Sequence, residues 1–171
     1  MKPTKIVIHC SDSEFGTIDD IDDWHREFGF RRSAKRVQVG EPAHCGYQFV
    51  ICNGYPDSMD LPKLEHADGA IQIGRDEDEE GAHAFGSNDS IGVCLIGKPG
   101  KFTPNQIYAM RGLVASLALR HGIQVQDIIG HFETPHEQAK TNGRKTCPGL
   151  DMKAVRTSIA EVISALVRVV Q

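Results

Sequence analysis

The sequence predicts an α/β fold in one domain, with a central mixed β-sheet of about five or six strands flanked by helices. Three observations lead there. Short apolar runs alternate along the chain with longer segments of helical periodicity. Two of those longer segments carry strong helix-start signals and a continuous apolar stripe. The 171 residues, 40% of them hydrophobic, suffice for one sizeable core and fall short of two comfortable domains.

Taken in order, Lys5 to Cys10 opens the chain as a buried strand. The first helix comes next, with Thr17 as N-cap, Ile21, Trp24 and Phe28 at helical spacing, and Gly29 as its stop; Trp24 is expected in the core. Tyr47 to Cys52, Ala70 to Gly74 and Ile91 to Gly97 read as three further strands. Thr103-Pro104-Asn105-Gln106 then supplies an N-cap, a proline in the first turn and a capping-box glutamine. Ile107, Met110, Leu113, Val114, Leu117 and Ala118 make one face of this second helix, and Gly122 ends it. Asp127 to Gly130 is a last strand. The final helix starts after Asp151 and puts Met152, Val155, Ile159, Val162, Ile163, Leu166 and Val170 on one stripe. No repeat, low-complexity tract or linker interrupts this order.

Charge and cysteine content narrow the function classes. A net charge of -4 offers no broad basic surface, so nucleic acid is not an expected partner. Arg31, Arg32, Lys35 and Arg36 form a local basic patch, and Asp76-Glu77-Asp78-Glu79-Glu80 an acidic run; both read as solvated loops. The five cysteines, at 10, 45, 52, 94 and 147, are an odd number, and Cys52 and Cys94 lie within apolar runs, which speaks against a disulfide scaffold. No apolar stretch reaches signal-peptide or membrane-span length, so the expectation is a soluble chain made in the cytoplasm.

Three residues suit a catalytic zinc. His9 ends the apolar run Ile6-Val7-Ile8, His131 ends Ile128-Ile129-Gly130, and Cys147 lies in the loop leading to the last helix. Two imidazoles and one thiolate leave tetrahedral zinc one open position for water. The spacing is far too long for a local metal motif, so the fold would have to bring them together. The same residue types also make a thiol nucleophile pair, with Cys147 or Cys10 beside a histidine. His136, five residues after His131, is an alternative ligand but reads better as a loop side chain.

Six ordered segments carry a resemblance: Ile6-Val7-Ile8-His9-Cys10-Ser11, Gly46 to Ile51, Gly81-Ala82-His83-Ala84, Asn88 to Gly97, Gly130-His131, and Lys145-Thr146-Cys147-Pro148. Together they resemble the type 2 N-acetylmuramoyl-L-alanine amidases, a family that includes small phage endolysins and is related to the peptidoglycan recognition proteins. The resemblance implies that His9, His131 and Cys147 bind Zn2+, that Tyr47 stands near the metal-bound water, and that Lys145 faces the scissile carbonyl. His83 and Asn88 fall at substrate-groove positions. The chain departs from the compact endolysin pattern in a longer basic stretch around Arg31 to Pro42 and a longer loop around Gly54 to Asp68.

The resemblance implies a monomeric catalytic domain over residues 1–171, without a separate wall-binding domain, that cleaves the amide between N-acetylmuramic acid and L-alanine. Its expected partner is peptidoglycan or a muropeptide. Acting on the wall would require release from the cytoplasm, for example through a holin. Cys147 favours the endolysin branch over recognition proteins that only bind and over a cytosolic muropeptide-recycling amidase.

Overall fold

The computed structural model describes residues 1–141 and 146–170. It holds five strands, β1 (Ile6–Cys10), β2 (Phe49–Asn53), β3 (Asp68–Ile73), β4 (Ile91–Leu95) and β5 (Ile128–Gly130), in one sheet of order β3-β2-β4-β1-β5. β1 runs parallel to β4 and β5, β2 runs parallel to β4, and β3 closes the edge antiparallel to β2, which makes the sheet mixed. The four helices are α1 (Ile18–Glu27), α2 (Pro104–His121), α3 (Pro135–Thr141) and α4 (Met152–Val170).

The alternation of side chains along each strand divides the core in two. One face presents Ile6, Ile8, Ile51, Ile91, Val93 and Leu95 to α2 and α4. The other presents Val50, Cys94 and Ile96 to α1, where Ile18 and Ile21 meet them with Trp24 only partly buried. His9 alternates with Ile8, so it lies on the α1 face, 1% exposed in the middle of the sheet.

The predicted caps form as expected. Thr17 accepts from Asp19 N–H, and Asp20 completes a capping box. Thr103 and Gln106 do the same for α2. Gln106 does more, because its buried amide also donates to Ile51 O and Ile96 O at 2.9 Å, tying the helix to two sheet carbonyls.

Several expectations need correction. β2 begins at Phe49, so Tyr47 precedes the strand. β3 starts two residues earlier than expected, at Asp68. In the last helix Leu166 is 41% exposed, because the helix outruns the packed layer; the Val170 side chain lies outside the described residues. His136, expected as a loop side chain, lies in the first turn of α3. Thr134-Pro135-His136-Glu137 carries the same start pattern as Thr103-Pro104-Asn105-Gln106.

The two charged stretches are not free loops either. Arg32 is buried, its Nε and Nη2 donating to Glu79 at 2.9–3.2 Å and its Nη1 to Pro42 O at 2.9 Å. Arg75 Nη1 approaches the same carboxylate at 3.7 Å. Arg36 donates to Asp78 at 2.6 Å, and Glu77 binds Arg120 and His121 at the end of α2. The acidic run is thus a clasp joining the 31–42 segment to α2. Asp76, Glu77, Asp78 and Glu79 each face a cation that is distant in sequence.

Candidate metal centre

The parallel pairing of β1 with β5 ends both strands on the same rim of the sheet, and that rim assembles the site. His9 is the fourth residue of β1, and His131 comes directly after β5, opening a short 3-10 turn. Their rings lie 4.5 Å apart, centroid to centroid. The turn is fixed by Glu133, which accepts from Gly130 N–H at 2.9 Å and pairs with Arg156 of α4 at 3.0 Å.

Cys147 arrives from the loop before α4. Its sulfur accepts the Cys10 N–H at 3.2 Å, and its carbonyl accepts the Phe132 N–H at 3.0 Å. Gly130 permits this approach, since a Cβ there would stand 3.0 Å from Pro148 Cδ. The result is that one donor atom each from His9, His131 and Cys147 lies within 4.8 Å of the other two. Two imidazoles and a thiol at that spacing fit a zinc ion with one position left open. The five cysteines are all free.

The Cys147 thiol is held above its ordinary value, first by the Cys10 side chain beside it and then by burial, which outweigh the lowering effect of the Cys10 N–H. A thiol so placed is a poor nucleophile on its own, and a cation is what would deprotonate it. This disfavours Cys147 as a free thiol nucleophile, while the same contact lowers the Cys10 thiol.

A cavity of about 320 Å³ opens beside the cluster, lined among others by Tyr47, His83, Asn88, His131 and Glu137. The Tyr47 ring lies 5.0 Å from that of His9, and burial keeps its phenol protonated well above the usual range. His83 sits behind His9, with its Nδ1 3.0 Å from His9 Nε2 and its Nε2 3.2 Å from Ser90 O. Burial lowers its pKa to about 4. Asn88 lines the cavity too, but its side-chain oxygen accepts from His83 N–H and Ala84 N–H at 3.0 and 2.9 Å, which shapes the loop. Lys145 lies outside the described residues.

Two residues of the site were not expected from sequence. Glu137 of α3 is buried, with Oε1 3.9 Å from His131 Nε2, and the Thr-Pro-x-Glu helix start is the signal that could have found it. His25 lines the cavity from α1, accepts the Gly46 N–H on Nδ1 at 2.8 Å, and is lowered to about 4, mainly by burial and then by Arg75. His136 is not part of the three-residue cluster; its ring packs on Phe85 at 4.8 Å.

Residues 1–150 match the family described as N-acetylmuramoyl-L-alanine amidase. The chain belongs to that family. Among its relatives, the endolysin of Klebsiella phage KP32 is 30% identical over 162 residues, covering 88% of this chain and 83% of the relative. The endolysin of Escherichia phage T7 is 31% identical over 159 residues, covering 86% and 82%. The fold is shared with the amidase LysC from Clostridium intestinale URNW, at a TM-score of 0.66 and 22% identity over 94% of this chain and 87% of that one. It is also shared with Drosophila PGRP-LB, at a TM-score of 0.58 and 23% identity over 90% and 79%. This amidase therefore hydrolyses an amide of peptidoglycan. Among its described residues no helix is long and apolar enough to cross a membrane.

Proposed function

We propose that this amidase is a zinc-dependent endolysin of phage or prophage origin that cleaves the bond between N-acetylmuramic acid and L-alanine. The observation that carries the reading is the convergence of His9, His131 and Cys147 donor atoms within 4.8 Å beside an open cavity. The endolysin relatives support the lytic role over recycling. In this reading the monomeric protein is made in the cytoplasm and reaches the wall after release, for example through a holin.

His9, His131 and Cys147 would hold the metal. Bound zinc supplies a Lewis acid for the amide carbonyl and brings the pKa of water to about 7. The protein's own groups do the rest. Tyr47, kept neutral by burial, can donate its phenolic hydrogen to an oxygen in the cavity. Lys145, two residues before Cys147, would offer its ammonium to the developing oxyanion. Glu137 faces the outer nitrogen of His131 and favours the ring orientation the metal needs. The family pattern puts His83 and Asn88 at the substrate groove; both line the cavity, His83 with both ring nitrogens and Asn88 with its side-chain oxygen engaged by protein.

The test combines metal analysis with product analysis. The purified chain should carry one zinc, and digestion of intact sacculi should release L-alanine amino groups without new reducing sugar ends. Cys147→Ser should lose metal and activity while staying folded, because a hydroxyl is a much poorer zinc ligand than a thiolate. Full zinc occupancy in that variant, or activity confined to soluble anhydro-muropeptides in the parent, would overturn the ligand set or the lytic role respectively.

A further inference from the structure

A zinc-binding imidazole uses one nitrogen for the metal, and what the other nitrogen touches decides which one that is. For His9 the decisive neighbour is His83. Ser90 O can only accept, so His83 Nε2 carries the hydrogen on that side, at 3.2 Å. A neutral His83 then has its lone pair on Nδ1, 3.0 Å from His9 Nε2. His9 must donate across that contact, which puts its hydrogen on Nε2 and its lone pair on Nδ1.

The surroundings hold His83 to this task. Its ring lies where a side chain at Gly81 or Gly92 would be, and a Cβ on Gly92 would stand 2.6 Å from His83 Cδ2. Asn88 fixes the local backbone by accepting from both His83 N–H and Ala84 N–H. The ring stands edge-on to His9, at 85° and 5.0 Å between centroids. On the other candidate histidine ligand, His131, it is again Nε2 that faces a protein group, Glu137 at 3.9 Å.

We propose that His83 is a positioning residue for the metal rather than a substrate contact: it holds the Nε2 edge of His9 so that Nδ1 meets the zinc. The inference rests on the zinc-dependent reading of the site. It assigns the glycines at 81 and 92 a purpose as well, which is to leave room for the imidazole.

The experiment measures Zn2+ affinity of the full chain by competition with a chromophoric chelator, and the visible spectrum of the Co2+-substituted protein, with circular dichroism as the folding control. His83→Leu should bind zinc roughly 10- to 100-fold more weakly and shift the cobalt bands. His83→Gln, whose side-chain oxygen can accept the His9 hydrogen, should recover most of that loss. Gly92→Ala, which displaces the ring without removing it, should weaken zinc in the same direction. At saturating zinc, the KM for soluble wall fragments should change less than about twofold in His83→Gln, because no substrate-binding group has been removed. Parent-like zinc affinity in His83→Leu together with a raised KM would make His83 a substrate contact and overturn the proposal. If His83→Leu does not fold, parent-like affinity in Gly92→Ala overturns it instead. A parent protein without stoichiometric zinc would fail the proposed function itself, before any variant is compared.

Discussion

Arg32→Met tests whether the buried ion pair holds the 31–42 segment to the acidic run. The substitution keeps an apolar stem and removes a guanidinium whose side chain is 2% exposed. Glu79 then loses its hydrogen bonds from Nε and Nη2, and Pro42 O loses its donor. Removing one partner of a buried pair costs about 3–5 kcal/mol, because the other charge is left without compensation. Here Arg75 remains 3.7 Å from Glu79, which places the expected loss near the lower end, about 3 kcal/mol. For a chain of this length that corresponds to roughly 6–12 °C in Tm. Urea unfolding of metal-free protein at neutral pH measures it. Adding Glu79→Gln to Arg32→Met should return part of the loss by removing the orphaned charge, so the double-mutant cycle must be non-additive. A loss below about 1 kcal/mol would put the pair in the range of exposed salt bridges and refute the clasp.

The site yields two more expected outcomes. Lys145→Ala should keep zinc and lower kcat by roughly a hundredfold or more, as for a donor that acts in the transition state; single-turnover cleavage of wall fragments reads this, and a parent-like rate would remove Lys145 from the chemistry. His25 gives a pH dependence: its folded pKa of about 4 lies below the ordinary 6.5, so the unfolded chain takes the proton first and stability present above pH 6.5 is lost as pH falls toward 4. At pH 5 the loss is about 2 kcal/mol from this group. Urea midpoints at pH 7.5 and 5 should therefore differ less in His25→Gln than in the parent, and equal differences would sink the assignment.

Local signals are legible in the sequence, and contacts between distant segments are not. Both capping boxes are visible in four-residue strings, and the apolar runs before His9 and His131 mark β1 and β5 because buried strands need little else to be seen. The convergence of His9, His131 and Cys147 is reached through the family pattern, since no spacing rule spans so much of the chain. α3 escapes a periodicity argument because seven residues carry too few apolar positions for a period to show. The acidic run reads as a solvated loop because the cation that buries Glu79 is Arg32, 47 residues earlier. For the same reason the turn of His83 toward His9, 74 residues away, has no signature of its own.

The strand order has a bearing on how the protein emerges from the ribosome. β1 lies between β4 and β5, so it has no sheet partner until β4 is made, about eighty residues later. At roughly 5–20 residues per second that interval is on the order of 4–16 s. During it an apolar segment waits unpaired in the nascent chain, the circumstance in which parallel sheets are slowest and most prone to associate wrongly. Cys147 comes later still, after β5, so the amidase is synthesised almost to its last helix before its three donors can meet. Translation order thus delays a competent hydrolase until nearly all of the chain that surrounds its cavity already exists.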